Sequence, residues 1–147
     1  MSDTSAASTV RADADLLLDA SAAVALLVPT HAAHAAIAAR VGRSQLGLAG
    51  HAAIETYSSL TRLPADQRFT AADAAERIAG GFPSGHPIDA AVMATVLARL
   101  AAAGVTGGAV HDGLVALAAV DLGVPLVTCE RRALSTYAAL GAVVEFV

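Results

Sequence analysis

Leu16-Leu17-Leu18 ends directly on Asp19, and Leu126-Val127-Thr128-Cys129 ends directly on Glu130. Apolar runs this short, without in-and-out alternation, fit strands buried on both faces, as in a parallel sheet. Parallel neighbours cannot be joined by a tight turn; each needs a long crossover, usually a helix. The intervening sequence supplies such crossovers. Residues 20–28 read as a helix stopped near Pro29, with Ser21 as its cap, and residues 31–43 as a second helix. A short strand is expected at 45–49 and a helix at 50–63, ending before Pro64. Thr70 caps a helix over 70–79 that Gly80-Gly81 should stop. GFPSGHPI, 81–88, is a break with room for one short strand. Helices follow at 89–103, capped by Asp89, at 111–122 and at 130–140, with strands at 125–129 and 142–146. The expectation is an α/β fold: a three-layer α/β/α sandwich around a short, mostly parallel sheet of four or five strands. Residues 1–12, rich in Ser, Thr and Ala, are expected to be a flexible tail before a single domain over 13–147.

Composition narrows the chemistry. Hydrophobic residues make up 56% of the chain, much of it helix-favouring alanine. The longest unbroken apolar runs, 22–28 and 114–120, are far too short to span a membrane. The first residues have no basic stretch leading into an apolar one, so no signal peptide is expected. A single cysteine, Cys129, allows no internal disulfide and fits a reducing cytoplasm. An apolar excess without a membrane span points to surface covered by a partner or a second copy. The net charge of −4 argues against a generic polyanion binder. All nine basic residues are arginines. Without lysine there is no P-loop ATPase and no Schiff-base enzyme. Response-regulator and dehalogenase-like phosphoryl chemistry, which normally sets a lysine beside its aspartate, fits poorly as well.

Of the thirteen acids, four occupy telling positions. Asp19 and Glu130 follow strands. Glu55 lies in the first turns of one helix and Asp112 at the opening of another. In a parallel sheet, strand carboxyl ends and helix N-termini share one edge, where ligands bind at a topological switch point. Four carboxylates gathered there repel one another unless a cation offsets them, and Mg²⁺ or Mn²⁺ takes such oxygen ligands. Taken singly, each acid can equally be a helix cap or dipole partner. The five histidines show no zinc spacing, and His111 is not read as a ligand. Cys129 is read as packing in the sheet.

The stretches LLLDASAAVALL, AIETYSSLTRLP, HDGLVALAAVDLGVPLVTCERRAL and GAVVEF together resemble a PIN-domain ribonuclease, specifically a VapC-type toxin of a type II toxin–antitoxin pair. The resemblance spans residues 16–147. Its pattern of an acid after the first strand, a mid-chain glutamate, an aspartate opening a late helix and an acid after a late strand falls on Asp19, Glu55, Asp112 and Glu130. Their separations are 36, 57 and 18 residues. The family often has aspartate where this chain has Glu130, which leaves open whether Glu130 ligates a metal or acts behind the ligands.

The resemblance implies a Mg²⁺- or Mn²⁺-dependent endoribonuclease in which Asp19, Glu55 and Asp112 hold metal and Glu130 completes the site or orients water. It also implies a cognate antitoxin, an RNA substrate and a homodimer. Ser21 and Thr128, beside the acids, would orient carboxylates or waters, or serve only as a cap and a strand-end hydroxyl. Arg62, Arg131 and Arg132 would hold phosphates, or simply lie on solvated helix faces. Two other readings stay open: a related metal nuclease acting on single-stranded or flap DNA, and a non-catalytic PIN-like interaction domain.

Overall fold

Five strands pair in the order β3-β2-β1-β4-β5, all parallel. They are β1 (Leu16–Leu18), β2 (Leu46–Ala49), β3 (Ser84–His86), β4 (Leu126–Thr128) and β5 (Val144–Phe146). The computed structural model describes residues 14–86, 88 and 90–147. The expected tail at 1–12 and the capping role given to Asp89 lie outside the described residues. The sheet agrees with the expected fold and is wholly parallel over the described residues.

Among the described residues, seven helices connect the strands: α1 (Ala20–Leu27), α2 (His34–Val41), α3 (Ala52–Leu60), α4 (Ala71–Gly81), α5 (Ala90–Ala102), α6 (Ala109–Leu122) and α7 (Leu134–Ala139). A 3-10 turn, Arg131–Ala133, leads into α7. From β1 the chain steps one way to β2 and β3, then crosses back to β4 and steps the other way to β5. Right-handed crossovers therefore put α1–α4 on one face and α5–α7 on the other. The helix contacts divide in the same way: α1 packs on α2 and α3, and α3 on α4, while α6 packs on α5 and α7.

The central strands are buried on both faces, as their unbroken apolar sequence requires. Leu17, Leu18, Leu126 and Val127 are fully buried, each worth roughly 1.5–3 kcal/mol of transfer free energy. Helix α6 is buried from Val115 through Ala119, which explains why its sequence carries so little polar-face signal. Among the described residues, no helix is long and apolar enough to cross a membrane.

Two local expectations are corrected. Gly80 and Gly81 do not stop α4, which runs through both to Gly81. A glycine stop works through left-handed backbone, and neither residue has a positive φ. Ser21 does not cap α1. Asp19 does, accepting from the Ala22 amide at 3.0 Å, and Ser21 turns back onto that same carboxylate.

Gly50 lets the turn between β2 and α3 pass close against α6. Its φ is +50°, and an added Cβ would lie 3.1 Å from the Leu114 carbonyl oxygen and 3.3 Å from the Ala118 Cβ. Gly42 shares that φ but has open space, its nearest atom 3.9 Å away. Gly42→Ala is therefore expected to cost about 1–3 kcal/mol from backbone strain alone. Gly50→Ala should cost clearly more in urea denaturation. Equal losses would show that the approach of this turn to α6 is not as tight as described.

Candidate active site

The switch point lies between β1 and β4, because the chain leaves β1 toward β2 on one side and reaches β4 from the other. Leu18 is in register with Val127, so the next residues, Asp19 and Thr128, emerge side by side. A cavity of about 680 Å³ opens there, lined by Asp19, Glu55, Asp112 and Glu130 among others. The fold thus brings all four sequence-selected acids to one cleft. Each sits where local geometry favours an anion: Asp19 caps α1, Glu55 and Asp112 lie in the first turns of α3 and α6, and Glu130 caps the 3-10 turn. Helix dipoles at these N-termini partly offset the crowding of negative charge.

Asp19 is the most constrained of the four, at 4% exposure. Its Oδ1 accepts from the Ser21 hydroxyl at 2.6 Å and the Ala22 amide at 3.0 Å. Its Oδ2 accepts from the Thr128 hydroxyl and from the Tyr137 hydroxyl, the latter at 2.8 Å. Among the described residues no charged side chain donates to it; four neutral donors hold the charge. The network extends further. Ser21 Oγ accepts from the Cys129 amide at 2.9 Å, and Thr128 Oγ1 from the Glu130 amide at 3.0 Å. Ser21 and Thr128 therefore tie the ends of β1 and β4 together through Asp19.

Tyr137 is the member that sequence reading missed. It is fully buried on α7, lines the cavity and stands 118 residues from Asp19 in the chain. Burial pushes its hydroxyl pKa far up, and the Asp19 charge and hydrogen bond add to this, so it remains a donor. Nothing local in LSTYAAL marks it.

Glu55 and Asp112 are strained electrostatically. Burial, then the neighbouring Asp112, raises the Glu55 carboxyl above its ordinary range. Burial, then Asp19 and Glu130, does the same for Asp112. Glu55 Oε1 is buried without a hydrogen-bond partner among the described residues. Glu130 differs. Its carboxylate accepts from the Arg132 amide at 3.1 Å and pairs with the Arg132 guanidinium at 3.2 and 3.3 Å, which lowers its pKa.

The arginines separate. Arg132 lines the cavity. Arg131 lies over the Phe146 ring at 4.5 Å, and Arg62 donates to the Ser58 carbonyl at 3.1 Å; neither lines the cavity. Burial, and then Asp19, raises the Cys129 thiol, which disfavours a thiolate nucleophile.

The residues suit a hard divalent cation in one respect and leave the shell open in another. Four carboxylates face one cavity, two of them resist ionisation, and one buried oxygen lacks a partner. A cation would relieve all three conditions. No three potential ligands among the described residues close into a finished shell.

Comparisons with known proteins show the family to which the chain belongs. The chain is 43% identical to ribonuclease VapC27 of Mycobacterium tuberculosis strain H37Rv over 126 residues, covering 86% of this chain and 92% of the relative. The chain belongs to the VapC ribonuclease family. Ribonuclease VapC40 of M. tuberculosis strain CDC 1551 is 37% identical over 130 residues, covering 88% of this chain and 96% of the relative. No protein-family model matches the sequence. Among solved structures, FitAcB from Neisseria gonorrhoeae shares the fold with a TM-score of 0.64 at 19% identity, covering 90% of this chain and 96% of that one. FitAB bound to an IR36 DNA fragment does so at 0.69 and 18%, covering 89% and 94%.

Two predictions follow from this VapC site. Tyr137→Phe keeps the ring and removes one donor to a buried carboxylate, and should cost about 1.5–3 kcal/mol. In a double-mutant cycle that cost should largely vanish in an Asp19→Ala background. An undiminished cost there would place the role of Tyr137 in packing alone. The second concerns Asp112. Its folded pKa is raised, so the folded chain holds more protons than the unfolded one between the ordinary and raised values. Without cation, stability therefore falls as pH rises through that window. Asp112→Asn should raise the Tm at pH 7 in chelator and reduce the stabilisation given by added Mg²⁺ or Mn²⁺. Scanning calorimetry showing a lower Tm in chelator would contradict this.

Proposed function

We propose that this chain is the toxin of a type II toxin–antitoxin pair and acts as a Mg²⁺- or Mn²⁺-dependent endoribonuclease. One observation supports the metal-dependent part: four carboxylates face one cavity at the β1/β4 switch point, with Glu55 Oε1 buried and unpaired among the described residues. The ribonuclease names of its VapC relatives support RNA as the substrate class.

Asp112, Glu55 and Asp19 would hold the cation. When bound, it supplies Lewis-acid activation of water and neutralises charge building up at the scissile phosphate. The chain's own residues set the geometry. Thr128 and Tyr137 fix one edge of Asp19, Ser21 and the Ala22 amide the other, so that carboxylate needs no reorganisation during the reaction. Asp19 already accepts two bonds on each oxygen. Direct ligation would displace one donor, so Asp112 and Glu55 are the more open ligands. Glu130, held by Arg132, stands behind them and brings that guanidinium to the cavity, where it is 90% exposed and able to meet a phosphate. No lysine and no covalent nucleophile is required.

The cognate antitoxin and a homodimer are part of this proposal. Ile54 and Tyr57 on α3 and Met93 and Leu97 on α5 are exposed apolar side chains available for such contacts. The cytoplasmic placement expected from the single cysteine belongs to the same reading.

Asp19→Asn and Asp112→Asn should abolish Mn²⁺-dependent cleavage of single-stranded RNA while circular dichroism shows a retained fold. Full activity in both variants would defeat the acidic-site mechanism. Cleavage of DNA in preference to RNA in a parallel assay would redirect the substrate.

A further inference from the structure

Two stacked rings near the acids have no part in the mechanism above. His51 directly precedes α3 and His111 lies in the first turn of α6, one residue before Asp112. Both are exposed. Their ring centroids are 6.0 Å apart, and their planes are inclined by 27° in a stacked arrangement. The Glu55 amide donates to the His51 carbonyl at 3.2 Å, so one ring stands at the start of each helix that carries Glu55 or Asp112. Neither ring lines the cavity itself, where the histidine present is His31; the pair flanks the helix starts that bring two of the acids to it.

Flat aromatic surface is scarce elsewhere in this chain, which has no tryptophan, three phenylalanines and two tyrosines. Phe82 and Tyr137 are buried, Phe69 is partly buried and Phe146 lies under Arg131, which leaves Tyr57 on α3 as the other exposed ring among the phenylalanines and tyrosines. Proteins that bind single-stranded RNA stack unpaired bases on aromatic rings, histidine included, and such stacking tolerates many sequences. An acidic cleft needs this kind of contact. Carboxylates repel the phosphate backbone, so a contact with a neutral base helps hold the strand where phosphate contacts are few.

We propose that His51 and His111 form a stacking platform for a nucleobase of a single-stranded RNA, next to the nucleotide whose phosphate enters the acid cavity. This rests on the ribonuclease reading and adds to it the contact that holds the substrate. The two side chains would touch the substrate's base and take no part at the reacting phosphate.

The test uses the full chain in chelator, where no cation-dependent cleavage occurs, and a fluorescein-labelled single-stranded RNA of mixed sequence. A matched strand with abasic positions is measured beside it. His51→Ala with His111→Ala is expected to raise the Kd for the base-bearing strand about tenfold, equivalent to about 1.4 kcal/mol. The same pair should leave the abasic strand unchanged. His51→Phe with His111→Phe should restore binding to within about threefold, because stacking needs a ring and not an imidazole. An equal loss on both strands, or no recovery with phenylalanine, would show a contact with backbone phosphate and overturn the platform. An unchanged Kd in the alanine pair, or no binding by the unaltered chain, would overturn it too. Cleavage by the unaltered chain with Mn²⁺ is scored separately: its absence defeats the ribonuclease reading, whereas normal cleavage with an unchanged Kd defeats only the platform.

Discussion

A buried carboxylate satisfied entirely by neutral donors holds this site together. Asp19 ends β1, and its four hydrogen bonds reach the first turn of α1, the end of β4 and the middle of α7. An unpaired buried charge is among the costliest features a fold can carry. The strands β1 and β4 must therefore stay in register, and α7 must stay docked, for the charge to be tolerated. The same bonds bring Thr128 beside Asp19 and set the Glu130 backbone by way of the Thr128 hydroxyl. The geometry of the acid cavity and the stability of the fold thus depend on one set of contacts.

The other acids are arranged on a different principle. Glu55 and Asp112 are held by helix position, and among the described residues neither has a cationic partner at salt-bridge distance. Arg40 pairs with Glu145 and Arg99 with Asp121, where surface charges are neutralised in the ordinary way. Among the described acids lining the cavity, only Glu130 is paired like this, through Arg132. Leaving Glu55 and Asp112 without such a pair is electrostatically unfavourable and would give a divalent cation something to relieve. A site built for binding commonly carries this kind of local cost.

Much of this was readable in the chain because the relevant signals are local. An apolar triplet followed by an acid, as at Leu18-Asp19, identifies both a buried parallel strand and the edge at which its acid emerges. The order of helices and strands then places Glu55 and Asp112 at that edge. What was not readable depends on distant packing. Tyr137 owes its role to a residue 118 positions away, and its own neighbours give no hint of it. Arg62 stands two turns beyond Glu55 in sequence, but those turns carry it about 10 Å along the helix axis, away from the strand ends. Arg131 is adjacent to Glu130, yet the 3-10 turn swings it onto Phe146. The run through Gly80-Gly81 depends on φ values that composition alone does not report.

The central claim is that the acid cavity at the β1/β4 switch point receives a divalent cation. Anomalous diffraction from a crystal of this protein soaked in Mn²⁺ tests it directly. The account predicts an anomalous peak inside the cavity, within ligand distance of Asp112 and Glu55, with Asp19 still held by Tyr137 or Thr128. A soaked crystal with no peak in the cavity, or with manganese bound only elsewhere on the surface, would contradict it.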